Sequence, residues 1–105
     1  MRQEIEVVNI LDEAGNPAGG FVKALGIDIQ WQNGPLGRGT ERIPPNGAFV
    51  EGVILAAVKR LEFYQTKFPC RENAIAITKL EEALLWLHER TRKREERGVE
   101  GTHQK

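Results

Sequence analysis

Serine is missing from this sequence altogether, and cysteine is down to one residue, Cys70. The first absence removes a serine nucleophile and any phosphoserine switch. The second removes an intrachain disulfide. Neither sign of charge is in excess: 15 Lys+Arg stand against 15 Asp+Glu, with a sequence pI of about 6.7. A protein that coats nucleic acid is usually basic as a whole, so a long polyanion is not the expected partner. No apolar run approaches the ~18 residues of a membrane span. The opening MRQEIEVVNI is acidic and alternating, which is not a signal peptide. The chain is therefore expected to be soluble and cytoplasmic. His88 and His103 have no Cys or carboxylate at metal spacing, so neither a metal nor a cofactor is expected. Cys70, beside Pro69, lacks a His–Asn arrangement and reads as a cap or a small buried side chain. No group qualifies as catalytic.

What is present fits a small α+β chain. At 105 residues it is one domain or a domain with an appendage. A chain of this size buries only ~65% of the surface its unfolded form exposes, so oligomerisation is a natural source of further burial. Residues 2–11 alternate, with Ile5 and Val7 set against Glu4, Glu6 and Val8, and predict a strand. DEAGNPAGG, residues 12–20, is dense in turn formers. FVKALGIDIQWQ resumes strand character, with Ile27, Ile29 and Trp31 on one face. Two or three short antiparallel strands are expected, and so small a sheet must pack on something. NGPLGRGTERIPPNG, residues 33–47, reads as a loop around Arg38, with Asn46 placed to cap the next helix. It lacks the G-K-[ST] ending of a phosphate-binding Walker loop.

Two helices follow, over about 47–67 and 71–97, divided by Pro69 and stopped by Gly98. In the first, Val50, Val53, Ile54, Ala57, Leu61, Tyr64 and Phe68 form a stripe that Phe49, Ala56 and Phe63 widen to nearly half the circumference. That is broader than an ordinary surface helix and suits two partners. In the second, Ala74, Ile77, Leu80 (with Thr78), Leu84, Leu87 and Thr91 supply a seam. The short link implies an antiparallel hairpin. The expected divisions are 1–45 for the sheet and loop, 46–98 for the hairpin, and 99–105 for a tail able to close over a ligand.

The second helix ends in a basic run: five of the eight residues from Arg90 to Arg97 are Lys or Arg. Arg90 and Arg94, four apart, project from one face. Two forked guanidiniums side by side suit a bidentate grip on phosphate or pyrophosphate. The same spacing also fits a solvated helix end whose arginines pair with Glu89, Glu95 and Glu96. Near the bend, Phe63 or Tyr64 could stack on a purine and the Asn73 amide could read its edge. On residues alone the ordinary roles weigh more: aromatics at helical spacing usually pack in a core, and an Asn near a helix start usually caps. Asn73 and Arg90 lie seventeen residues apart on one helix, or ~25 Å, so one chain cannot close a small pocket with both. An antiparallel pair of chains could.

RLEFYQ, followed by FPCRENAIAITKLEEALLWLHERTRKREERGVEGTH, resembles phage anti-defence sponges, specifically the first family of Thoeris anti-defence proteins. RENAIAITKLEEAL is the part shared with phage anti-CBASS sponges, while GIDIQWQNGPLGRG and RGVEGTH point to the Thoeris branch. The similarity runs from about Gly26 to His103. It implies a binding protein, not an enzyme, that holds glycocyclic ADP-ribose isomers and, in some members, cyclic trinucleotides at a separate site of a hexamer. By that resemblance Phe63 matches the adenine-stacking aromatic, Asn73 the amide, and Arg90 and Arg94 the paired arginines, with Arg38, Thr102 and His103 as further matches. Asn73 and Thr78 fall in the region expected for trinucleotides. The resemblance also implies a homo-oligomer, dimers assembling to a hexamer, in the cytoplasm of an infected bacterium. The competing readings from residues alone are a small nucleic-acid binder and a protein-adaptor hairpin.

Overall fold

The computed structural model describes residues 4–104. The expected strand's Arg2 and Gln3, and Lys105 of the tail, lie outside the described residues. The architecture is α+β, a three-stranded antiparallel sheet followed by two long helices, as the sequence predicts. The chain forms two compact units: residues 4–49 with 99–104, and Val50–Gly98.

In the first unit, β1 (Glu6–Leu11), β2 (Pro17–Ala24) and β3 (Ile27–Gln30) pair in the order β1-β2-β3. The first turn is shorter than its composition suggests. Asp12 Oδ1 accepts the N–H groups of Ala14 and Asn16 at 2.9 and 3.0 Å, closing a local turn of the kind Asp favours. The chain is already a strand at Pro17. The reading of residues 12–20 as turn throughout is therefore corrected: Gly19 and Gly20 lie inside β2. Gly20 shows why. It has φ +129°, and a Cβ there would stand 2.2 Å from the Val8 carbonyl oxygen, so the glycine permits close approach of β1. The register shifts between Asn9 and Leu11.

The covered face of β1 also differs from the sequence reading. Val8, opposite Phe21, is half-buried, whereas Ile5 and Val7 are exposed. Lys23 Nζ sits 4.8 Å from the centre of the Phe21 ring. In and beyond β3, Ile29 and Trp31 are half-buried while Ile27 is 39% exposed. The segment at 46–48 then joins the sheet. Ala48 N–H donates to Gln30 O at 2.7 Å, and Gln32 N–H donates to Ala48 O at 3.0 Å. Asn46 exchanges bonds with Asn33 and Gln32. It is thus a sheet-edge residue and does not cap the helix, which begins later than expected, at Val50.

In the second unit, α1 (Val50–Lys67) packs on α2 (Arg71–Glu96). The bend is closed by Gln65, whose side chain accepts from Cys70 N–H at 3.0 Å and donates to Cys70 O at 3.1 Å. Cys70 Sγ accepts from Asn73 N–H, so the cysteine caps α2 and stays exposed. α2 ends in a reversal at Arg97 and Gly98. The residue most deeply covered in the hairpin is Val58, 2% exposed, flanked by half-buried Ile54, Leu61 and Gln65. The expected stripe left Val58 out, and four of its members, Val50, Ala57, Tyr64 and Phe68, are exposed. On α2, Ile77, Leu80, Leu84, Leu87 and Thr91 face inward as expected; Ala74 and Thr78 do not.

Candidate functional site

The basic end of α2 is organised by Arg92. Its guanidinium donates to Glu89 at 2.7 and 2.9 Å and also pairs with Glu96. Those spacings, three back and four on, place both carboxylates on the Arg92 side of the helix. The hydrogen bond from Arg92 holds the Glu89 carboxyl below the ordinary carboxylate value of 4.5, and the two carboxylates push the Arg92 guanidinium further up. The local pairing that the sequence allowed for Arg90 therefore does not form. Arg90 is exposed, and among the described residues its guanidinium makes no hydrogen bond or ion pair. Its positions three and four away are Trp86, Leu87, Lys93 and Arg94, none of them acidic. Five guanidinium N–H donors thus remain for an external acceptor. Arg94 lies on the half-buried side of α2, on the same seam as Leu87 and Thr91, and is engaged within the chain.

At the other end of the hairpin, Asn73 is half-buried, and its backbone N–H is already capped by Cys70. The side-chain amide has no hydrogen-bond partner among the described residues, so it is not spent on capping. Phe63 is 48% exposed, too open for a core ring. It forms a cluster with Tyr64, centroids 5.9 Å apart, and Arg60 lies 4.9 and 4.7 Å from the two ring centres. Sequence reasoning passed over Arg60 and Arg92. The signal was there, in an arginine three and four residues before two aromatics and an arginine between two glutamates at −3 and +4.

The unbroken helix from Arg71 to Glu96 keeps Asn73 and Arg90 about 25 Å apart along its axis. One protomer does not bring the amide and the basic end together. Thr78, one turn beyond Asn73, returns its hydroxyl to Ala74 O at 3.1 Å and lines an open groove with Arg71, Ala74, Ile75 and Lys79.

The remaining candidates belong to the first unit. Arg38 precedes a single 3-10 turn, Gly39–Glu41, and is exposed. Thr102 is half-buried and donates from both N–H and Oγ1 to Val99 O, while His103 is exposed. Arg42 and Glu100, which sequence reasoning did not single out, form a two-pronged ion pair at 2.8 and 3.1 Å. Among the described residues no group of His, Cys, Asp and Glu is arranged to hold a metal ion, and no helix is long and apolar enough to cross a membrane.

The family model described as "Acb2/Tad1, hairpin domain" matches residues 23–92. The chain is 49% identical over 92 residues to "Thoeris anti-defense 1" of Bacillus phage SBSphiJ7, an alignment covering 87% of this chain and 64% of that relative. This chain thus spans a little under two thirds of the relative it matches. A bend carrying Phe63 and Asn73, a capped long helix and a basic end with one uncommitted arginine are features of a hairpin that the matched segment covers almost whole, and the chain belongs to the Acb2/Tad1 hairpin-domain family.

Proposed function

We propose that this protein is a phage anti-defence sponge that binds glycocyclic ADP-ribose and withholds it from the Thoeris response inside the infected bacterium. The observation that carries this reading is the uncommitted Arg90 guanidinium beside an Arg92 that has taken both neighbouring carboxylates. A pyrophosphate supplies the acceptors that Arg90 lacks. Arg94, one turn on, adds a second positive charge nearby. An adenine suits the half-exposed Phe63 ring and the unused Asn73 amide. Arg38, Thr102 and His103 supply further polar contacts. The name of the Bacillus phage relative supports the anti-defence role.

The 25 Å between Asn73 and Arg90 favours a site shared by two protomers, the bend of one meeting the basic end of the other. Exposed Leu85, Trp86, Phe68 and Ile75 on the hairpin are apolar surface that a dimer, or a hexamer assembled from dimers, would cover.

Sequestration needs tight binding and no bond cleavage. Nanomolar affinity corresponds to about −12 kcal/mol. Charge-assisted hydrogen bonds at about 1.5–3 kcal/mol each, with stacking, reach that value only in a preorganised pocket. A second site for cyclic trinucleotides is proposed at the Thr78 groove, where Arg71 and Lys79 bring positive charge beside a hydroxyl. Calorimetry with glycocyclic ADP-ribose and with cyclic tri-adenylate on one preparation tests both, with mass spectrometry of the ligand recovered after denaturation. Binding of the first with recovery at unchanged mass is expected. Recovery of a hydrolysed product, or salt-sensitive binding of long DNA or RNA in its place, would refute the reading.

A further inference from the structure

The segment after α2 is tied down by the chain itself. Val99 is buried, at 9% exposure. Gly37 N–H donates to Gly101 O at 2.8 Å. Gly101 has φ +79°, and a Cβ on it would stand 2.3 Å from Gly37 O and 3.4 Å from Arg42 Nη1, so the tail meets the loop backbone to backbone. Beside that contact, Arg42 Nη1 and Nη2 donate to the two oxygens of Glu100, an ion pair joining residues 58 positions apart. The loop is itself closed at its neck, where Ile43 N–H donates to Leu36 O at 2.6 Å, and is turned inward by Glu41 N–H to Arg38 O at 3.1 Å. Arg38 is thus carried on a pinned loop, and Thr102 and His103 on a tail docked to that same loop.

We infer that Arg42 and Glu100 are positioning residues: their ion pair clamps the tail onto the 36–43 loop so that Arg38, Thr102 and His103 form one preset face for the polar groups of a nucleotide. The inference rests on the sponge reading, in which those three residues touch ligand. The pair has the geometry that makes such a clamp effective. A bidentate arginine–carboxylate bond fixes direction as well as distance. The side chains are 43% and 27% exposed, which leaves the pair sensitive to salt. Loss of the clamp lets the tail undock, and affinity falls by the fraction of time it is docked. A docked population of one tenth gives a tenfold weaker ligand, about 1.4 kcal/mol.

The test uses the full chain and glycocyclic ADP-ribose in calorimetry with Arg42→Ala, Glu100→Gln and the reversed pair Arg42→Glu with Glu100→Arg. About tenfold weaker binding is expected for each single variant, recovery to within about threefold for the reversed pair, and no change in hairpin melting followed by circular dichroism at 222 nm. Amide exchange at Gly37 should accelerate in the single variants and slow again in the reversed pair, a readout that needs no ligand. Single variants that bind like wild type, or a reversed pair no better than either, overturn the clamp. Arg90→Ala run alongside separates the two ideas. Wild-type binding weakened by Arg90→Ala but untouched at the clamp sinks only the inference, whereas a wild type that does not bind sinks the sponge reading and the inference with it.

Discussion

Replacing Arg90 by alanine is expected to weaken glycocyclic ADP-ribose binding without disturbing the fold. The structure separates these two effects. Arg90 is exposed and makes no hydrogen bond or ion pair among the described residues, so its removal orphans nothing within the chain. The loss is confined to what the guanidinium does for the ligand. A charge-assisted hydrogen bond is worth about 1.5–3 kcal/mol, so affinity should fall about 10- to 150-fold. Alanine is also the better helix former, which leaves the melting temperature level or slightly higher. Arg92→Ala is the internal control. It breaks the contacts to Glu89 and Glu96 but removes no group assigned to the ligand, and should change affinity less than about threefold near physiological salt. Arg90→Lys should recover part of the charge but not the fork. Calorimetry at two salt concentrations, paired with thermal melts, reads all three. The reasoning is refuted if Arg90→Ala binds like wild type, or if Arg92→Ala costs as much as Arg90→Ala.

Further outcomes follow from the same geometry. Val58→Ala removes two methyl groups from a side chain 2% exposed; at ~0.8 kcal/mol each plus a cavity, less a few tenths for alanine's helix propensity, urea denaturation should show a loss of about 2 kcal/mol. Because the folded-state carboxyl of Glu89 is held below its ordinary value, its contribution is complete above pH 4.5 and is lost as pH falls through the lowered value. Helicity should therefore be flat from pH 8 to about 5 and should loosen at the end of α2 only in stronger acid, as amide exchange there would report. Association predicts a solution mass above that of one 11.8 kDa chain, lowered by Trp86→Ala or Leu85→Ala if those exposed side chains lie in the contact; light scattering across a dilution series checks it.

Several elements were legible because their causes are local. Pro69 and Gly98 bound α2 within a residue of expectation, since capping and φ restriction act over a few positions. The α+β order and the three-residue link followed from periodicity. Other elements were not legible. An apolar band nearly half the circumference of α1 allows more than one stripe at a period of 3.6, and only the presence of α2 selects the one through Val58. Glycine in a turn and glycine beneath a neighbouring strand are the same letter, and Gly20 became intelligible only with the Val8 carbonyl 2.2 Å from its missing Cβ.

The sequence by itself determined which side chains share a helix face: Arg90 with Arg94, Asn73 one turn inside the second helix, Phe63 near the bend. Helical geometry is independent of what surrounds it. Tertiary structure decided which groups are spent and which remain. It drew Asn46 to the sheet edge, moved the start of α1 to Val50, and brought Glu100 to Arg42 across 58 residues. Contacts at such separations must overcome the entropy of closing the intervening chain, and no local pattern records which of them succeeds.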